Sequence, residues 1–169
     1  MNKPIPNEKE KFLNDDDFIV SKTDTKGHII YGNKSFIKMS GYSDKELLGA
    51  SHSILRHPDM PTLIFKLLWE RILKKEEIFA YVKNLTKEGS FYWVFANVTA
   101  TTDHHGVIRD FHSARRKPSA KSMQVIPLLY KELLSVEKKE GMEASKKLLN
   151  QRLEDQGKTY DEFVLTLQQ

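Results

Sequence analysis

The sequence predicts an α+β fold: a five-stranded antiparallel sheet with helices on one face, followed by a C-terminal helical extension. Two β-rich runs come first, a set of helical patterns follows, three more β-rich runs come next, and the last third has only helical periodicity. Strands that are grouped in this way, instead of alternating with helices, are typical of antiparallel sheets. Helices that cross the concave side of such a sheet leave room for a ligand cavity between the two layers.

The first two strands are predicted at residues 18–21 and 28–31, because β-forming side chains there flank a turn composition at residues 23–27. A short helix is then expected to begin at Asn33 and to end at Gly41. Asparagine is a favoured N-cap, and glycine tolerates the left-handed conformation that ends many helices.

A second short helix and one longer helix complete the helical layer. Ser43 and Glu46 have the spacing of a capping box, and Gly49 follows as a stop. Residues 63–73 carry leucine and isoleucine at three- and four-residue spacing. This spacing predicts an amphipathic helix with one buried face. Trp69 of this helix is expected in the core and not in a cofactor site.

Three further strands are predicted at residues 78–85, 90–102 and 107–114. The loops between them, residues 86–89 and 103–106, are polar and contain glycine. Such loops favour hairpins. The adjacent histidines in the second loop are expected to be a solvated turn and not metal ligands, because neighbouring side chains diverge.

The helical extension is predicted over residues 118–169, with helices over residues 125–136 and 142–156 and a third that starts at Thr159. Pro127 is expected near the beginning of the first of these, because proline breaks helix interiors. The apolar stripes must meet the sheet, each other or a partner, and we expect a partner first.

Composition limits the function further. The 169 residues, with a formal charge of +4 and no cysteine, suit one domain (residues 18–117) with a polar lead-in (residues 1–17) and the extension. The charge is dispersed, which argues against nucleic acid, and the missing cysteines exclude thiolate chemistry. No signal peptide, membrane-spanning run or catalytic set is recognisable, so we expect a cytoplasmic protein that is not an enzyme.

The segment from Arg56 to Pro61 is the strongest candidate for a binding site. Pro58 and Pro61 hold it out of regular structure, so its side chains are fixed. Arg56 offers a planar set of donors, His57 can donate or accept near neutral pH, and Asp59 can cap the next helix or bind a ligand. A capped loop between helices is the alternative interpretation.

Several motifs together resemble one family. They are Thr23, Asp24, residues 27–33, Phe36, residues 40–42, residues 46–49, His52, residues 56–61, residues 82–84, residues 87–89, residues 92–94, Ala96 and Asn97. This set resembles a PAS domain over about residues 18–116, and most of all the PAS domain of bacterial Aer-type sensors for aerotaxis and energy taxis. The combination of residues 56–61, residues 82–84 and residues 92–97 is the specific part of the likeness.

The resemblance implies a redox sensor that binds FAD. The site residues it implies are Asn33, Arg56, His57, Asp59, Phe65, Ile78 and Asn84. Asn84 would pair with the flavin ring, while Arg56 and His57 would meet ribose or phosphate oxygens. Ile78 stands where the family commonly has tryptophan, which removes a stacking contribution of about 0.5–1.5 kcal/mol.

The likeness also implies partners. The membrane and methyl-accepting segments of an Aer receptor are not found in the 169 residues, so the chain resembles the stand-alone PAS subunit of bipartite energy-taxis receptors (CetB type). The implied partner is a membrane-bound chemoreceptor signalling protein, which would recruit this chain to the inner membrane face. Homodimers through the PAS domain or the C-terminal helices are also expected. The alternatives are a PAS domain that binds haem through His57, or a cofactor-free interaction module that binds a partner or itself through its exposed sheet face and the appended helices.

Overall fold

The computed structural model describes residues 2–169, and they contain one antiparallel sheet with the strand order β2-β1-β5-β4-β3. The strands are β1 (Ile19–Thr23), β2 (Ile29–Gly32), β3 (Ile78–Leu85), β4 (Phe91–Thr102) and β5 (Ile108–Arg116). The helices are α1 (Lys34–Ser40), α2 (Asp44–Leu47), α3 (Thr62–Leu73), α4 (Ala120–Glu140), α5 (Met142–Asp155) and α6 (Tyr160–Gln168), with a 3-10 turn at His52–Leu55. The predicted fold class is confirmed.

The predicted strand bounds are right for β3 and differ by one or two residues elsewhere. Strands β1 and β5 both end two residues later than predicted, and β5 continues to Arg116 because its last residues pair with β1 and β4. A strand in the centre of a sheet finds backbone partners on both sides, so it extends beyond its run of β-forming side chains.

The helix starts follow the capping signals in the sequence. The Asn33 side chain accepts a hydrogen bond from the Phe36 amide at 3.0 Å. Ser43 begins α2 and Thr159 begins α6, and both complete a reciprocal capping box. These short helices therefore have their amides satisfied locally, before any tertiary packing is counted.

Helix α4 begins earlier than expected, at Ala120 with Ser119 as its N-cap. Pro127 lies about two turns inside it. The prediction that Pro127 stands only near the helix start is therefore wrong. Proline removes one intrahelical hydrogen bond, and the buried side chains of Ile126, Leu129 and Tyr130 on either side hold the helix against the sheet.

The sheet is packed on both faces. The inner face meets α1, α2 and the 3-10 turn, with α3 along its edge; this core includes Ile19, Ile29, Phe36, Leu47, Leu55, Tyr92, Val94 and Phe111. The outer face meets α4, α5 and α6; this core includes Tyr81, Phe95, Ile126, Leu133, Leu149 and Phe163. Alternation along β4 explains the division, because Val94 points to one face and Phe95 to the other.

The apolar stripes of the C-terminal helices are therefore covered mainly by the sheet and by each other. Leu133 is 0% exposed. The Tyr130 hydroxyl donates to the Tyr81 carbonyl at 2.7 Å, and the Tyr160 hydroxyl donates to the Phe79 carbonyl at 2.8 Å. The expectation that these stripes chiefly face a partner is wrong, and so is the assumption of an exposed sheet face at β3 and β4.

The N-terminal lead-in also packs on the domain. The Asn7 and Lys11 amides donate to the carbonyls of Gly89 and Phe91 at 2.8 and 2.7 Å, and Leu13 is buried in the inner core. This segment therefore lies across the turn between β3 and β4.

Candidate functional site

A cavity of about 290 Å³ lies between the inner face of the sheet and the helical layer. The sheet contributes Val82, Asn84, Ala96, Val98, Phe111 and Arg115. The helical side contributes His52, Leu55, Phe65, Leu68, Trp69 and Ile72. The lining is mainly apolar with a few polar groups, which is the usual character of a small-molecule site.

Arg56, Phe65 and Asn84 are the sequence-predicted site residues that line this cavity. The Arg56 guanidinium lies 3.8 Å from the centre of the Phe65 ring. A backbone bridge joins Arg56 to Asn84. The corner after the 3-10 turn, the start of α3 and the end of β3 therefore meet at one end of the cavity.

Asn33 and Ile78 do not line it. The Asn33 side chain accepts from the Val20 amide at 3.1 Å and donates to the Phe18 carbonyl at 2.8 Å, in addition to capping α1. Its amide oxygen accepts two hydrogen bonds and its amide nitrogen donates one, so most of its polar capacity serves the fold. Ile78 is 1% exposed and belongs to the inner core at the start of β3.

His57 and Asp59 also lie outside the lining of the cavity. The His57 Nδ1 atom accepts from the Asp59 amide at 3.0 Å, and its ring packs edge-on against Phe91. The Asp59 carboxylate accepts from the Lys83 ammonium at 2.7 Å. Burial lowers the pKa of His57 to about 4; Lys83 adds to this effect and Asp59 opposes it. These residues hold the corner in place.

Arg115, His52 and Ser21 form a polar cluster in the cavity wall that the sequence did not reveal. Arg115 is 3% exposed, donates to the Ser21 hydroxyl, and lies 3.4 Å from His52 Nε2. Ser21 Oγ lies 3.1 Å from the same nitrogen. A neutral His52 ring that accepts at Nε2 satisfies both neighbours.

Burial dominates the ionisation of this cluster. It lowers the pKa of Arg115 to about 10, so the guanidinium stays charged at neutral pH. Burial and the neighbouring Arg115 charge lower the pKa of His52 to about 3, so the imidazole stays neutral. The cluster therefore carries one positive charge, and no carboxylate forms an ion pair with Arg115 within the described residues 2–169.

Three residues that line the cavity each carry a buried nitrogen that makes no hydrogen bond: Asn84 (Nδ2), Arg56 (Nε) and Arg115 (Nε). An unpaired buried donor costs about 1–3 kcal/mol, and a buried unpaired charge costs more. A partner for such a group can come from a bound ligand, an ion or an ordered water. The arrangement can bind a ligand that is flat and apolar in the middle, with hydrogen-bond acceptors or negative charge at its edges.

Arg115 was not predicted as a site residue, because the pairing of β5 in the sheet brings it to the cavity. Its neighbour Arg116 is exposed, and nothing in the local composition distinguishes the two arginines. The signal that was present is the period of two from Phe111, which puts Ser113 and Arg115 on the cavity side. Trp69 was expected in the core; it packs edge-on against Phe111 and also lines the cavity.

The buried His52 makes the ligand-free protein sensitive to acid. The unfolded chain takes up a proton near pH 6.5 and the folded state only near pH 3, so the unfolded state binds more protons between these values. The free energy of unfolding should therefore fall as the pH is lowered, by about 1–2 kcal/mol between about pH 6.5 and about pH 5 from His52 alone. Urea unfolding at a series of pH values measures it.

In the His52→Gln variant this part of the pH dependence should disappear. His104→Gln is the matched control, because His104 lies in the exposed loop between β4 and β5. An equal pH slope in wild type and His52→Gln would contradict the neutral assignment of His52.

Two kinds of feature are absent from residues 2–169. No helix in this range is long and apolar enough to cross a membrane. In the same range, no three histidine, aspartate or glutamate side chains converge in a way that could hold a metal ion.

The chain is similar in sequence to several known proteins. Residues 29–114 match the family described as PAS fold. The chain is 35% identical over 130 residues to the aerotaxis receptor of Escherichia coli K12, which is 77% of this chain and 26% of the receptor. It is 26% identical over 97 residues to the nitrogen fixation regulatory protein of Klebsiella oxytoca, which is 57% of this chain and 20% of that protein. The chain thus spans about a quarter or less of these relatives.

Solved structures agree on the fold. A light-oxygen-voltage domain studied with a flavin analogue superposes with a TM-score of 0.57 at 21% identity, over 64% of this chain and 82% of that one. The PAS domain of a Colwellia psychrerythraea protein superposes with a TM-score of 0.55 at 19% identity, over 59% of this chain and 85% of that one. The predicted PAS resemblance is confirmed, and an aerotaxis receptor is among the relatives. From its sheet, its cavity and a family match over half its length, the chain belongs to the PAS family of sensor domains.

Proposed function

We propose that this protein is a cytoplasmic redox and energy-taxis sensor, which binds FAD in the cavity between sheet and helices and relays the redox state of the flavin to a separate chemoreceptor signalling chain. FAD supplies reversible electron uptake in such a site. The protein supplies the binding groups, the charge and the connection to the rest of the fold.

The observation that carries the proposal is the set of unpaired donors in an apolar cavity. Asn84 and Arg115 lie on the sheet wall, and each has a nitrogen without a partner. A flavin ring system offers carbonyl oxygens and ring nitrogens at one edge, which are acceptors for these donors. The donor set therefore fits the group that the resemblance implies.

The size of the cavity fits the ring system of the cofactor better than the whole cofactor. A volume of about 290 Å³ lies just below the range of roughly 300–1,000 Å³ that is common for ligand sites. The phosphates and adenosine of FAD must then lie at or beyond the cavity mouth. Arg56 is the first residue of the corner and lines the cavity, and its Nε is unpaired. It would hold an oxygen of the phosphate and adenosine part of FAD.

Arg115 would also adjust the response to electrons. It is a buried cation without an anionic partner, so negative charge added to a neighbouring ligand is stabilised. His52 stays neutral and does not compete for that charge. Arg115 would therefore favour the reduced form of the bound cofactor, and Ser21 keeps its guanidinium oriented.

The signalling partner in this proposal is inferred from the similarity to an aerotaxis receptor. The E. coli protein is named a receptor, and this chain matches about a quarter of its length. A separate membrane-bound signalling chain, as in receptors of the CetB type, would supply the output and hold this sensor at the inner membrane face. A homodimer remains part of the proposal.

The two alternatives are less well supported. A haem site that uses His57 is disfavoured because His57 does not line the cavity and its Nδ1 accepts from Asp59. A cofactor-free module would bind through the exposed sheet face and the appended helices, and α4, α5 and α6 cover that sheet face at β3 and β4.

The proposal is tested by the visible absorption spectrum of freshly purified protein and by titration with FAD. We expect the flavin bands in the purified protein, or stoichiometric uptake of added FAD with quenched fluorescence. A haem would show a Soret band instead. A colourless protein that takes up no FAD would end the flavin hypothesis and leave the interaction module.

Asn84→Ala should weaken FAD binding about 10- to 100-fold, because it removes a buried donor while leaving the acceptor on the ligand unpaired. The dissociation constant from fluorescence titration measures this. Asn97→Ala is the matched control, because Asn97 lies on the outer face of β4 and donates to Glu77 at 3.1 Å. Equal affinity in both variants would remove Asn84 from the site.

A further inference from the structure

The first turn of α3 is capped from a distant part of the chain. The Glu137 carboxylate, near the end of α4, accepts from the Thr62 amide at 3.0 Å and from the Leu63 amide at 3.2 Å. The residue at the N-cap position, Pro61, makes no side-chain cap. The sequence made Asp59 a candidate for this task, but Asp59 pairs with Lys83. Glu137 therefore satisfies amides that the local sequence leaves open.

The capped helix forms a wall of the cavity. Phe65, one turn after the capped amides, lies against the Arg56 guanidinium, and Trp69 and Ile72 follow on the same face. The position of the first turn of α3 therefore sets the position of Phe65 relative to Arg56. A carboxylate at a helix N-terminus also interacts favourably with the helix dipole, so the contact fixes the direction of the helix as well.

The C-terminal extension holds the opposite wall too. Tyr130 and Tyr160 donate to backbone carbonyls of β3, the strand that carries Asn84 to the cavity. A further ion pair joins Arg71 of α3 to Asp161 of α6 at 3.0 Å. Both walls of the cavity are thus attached to the same group of helices, and Glu137 is the residue that holds the first turn of α3.

We infer that Glu137 is a positioning residue for the ligand cavity, and that it couples the docking of the C-terminal extension to ligand binding. This inference rests on the proposed FAD site. Coupling of this kind is reciprocal. A ligand that holds α3 in place strengthens the docking of α4, and a partner that displaces α4 weakens the binding of the ligand. The extension is then the element through which a partner and the cavity affect each other.

The test compares Glu137→Ala with Glu132→Ala in the full chain. Glu132 lies on the same helix and pairs with Arg152 inside the extension, so its loss removes the same charge without touching α3. We expect Glu137→Ala to weaken FAD binding about fivefold, as the loss of a helix cap implies, with Glu132→Ala unchanged. Glu137→Gln keeps an acceptor oxygen and should restore part of the affinity.

Hydrogen exchange in the ligand-free protein gives a second reading that does not depend on FAD. The amides of residues 65–69 and of Arg56, His57, Asp59 and Met60 should exchange about fivefold faster in Glu137→Ala than in wild type or Glu132→Ala. If wild type binds no FAD, the proposed function fails, and the exchange rates alone then show whether Glu137 positions the cavity wall. Unchanged exchange overturns the inference. If wild type binds FAD, equal affinity in Glu137→Ala and Glu132→Ala overturns the coupling.

Discussion

Replacing Arg115 with methionine should make the ligand-free protein more stable and weaken FAD binding at the same time. The buried guanidinium has no carboxylate partner and one unpaired nitrogen, so it costs desolvation energy in the empty cavity. An apolar side chain avoids this cost, and we expect a gain of about 1–3 kcal/mol in the free energy of unfolding. The loss of a charged donor should weaken FAD binding about 10- to 150-fold.

Urea unfolding of the ligand-free protein and FAD titration measure the two effects of Arg115→Met. Arg116→Met is the matched control, because Arg116 is the exposed neighbour on the same strand and carries the same charge. It should change neither quantity by much. If Arg115→Met instead lowers stability and leaves FAD affinity intact, Arg115 is a structural residue and the charge of the cavity has no role in binding.

Leu133→Ala should lower the free energy of unfolding by about 2–5 kcal/mol, the usual cost of deleting a buried leucine side chain. Leu133 is 0% exposed in the core between α4 and the outer sheet face, and its carbonyl accepts from the Ser145 hydroxyl. The loss should lower the stability of the sheet and the extension together, because this core joins the extension to β3 and β4. Urea unfolding followed by fluorescence and by circular dichroism measures it.

Leu128→Ala is the control for this prediction, since Leu128 lies on the same helix and is 70% exposed. Its effect should stay within about 0.5 kcal/mol. Equal effects of the two substitutions, or a separate unfolding transition for the extension, would mean that the extension does not share a core with the sheet.

The sequence alone determined the local parts of this protein. Cap residues such as Asn33, Ser43 and Thr159 act through the amides of the next turn, so their role can be read from neighbouring positions. Strand and helix periods predicted the fold class for the same reason. The corner at residues 56–61 was recognised as special because proline restricts the backbone at the positions where it stands.

Only the tertiary structure decided which side chains reach the cavity. Arg56, Phe65 and Asn84 do, whereas His57 and Asp59 of the same corner turn to Phe91 and Lys83. Arg115 and Ser21 are 94 residues apart in the chain and meet because β5 lies beside β1 in the sheet. Local composition cannot encode such a meeting, because it depends on strand order and register.

The same distinction applies to the C-terminal extension. Its helices and their apolar stripes followed from spacing, but what covers the stripes did not, since an amphipathic helix buries its stripe equally well against a sheet or a partner. The outer faces of β3 and β4 supply that cover, and Glu137 reaches α3 only because α4 is docked there. Short-range physics therefore determined the elements, and long-range packing determined the binding site and its connection to the helices.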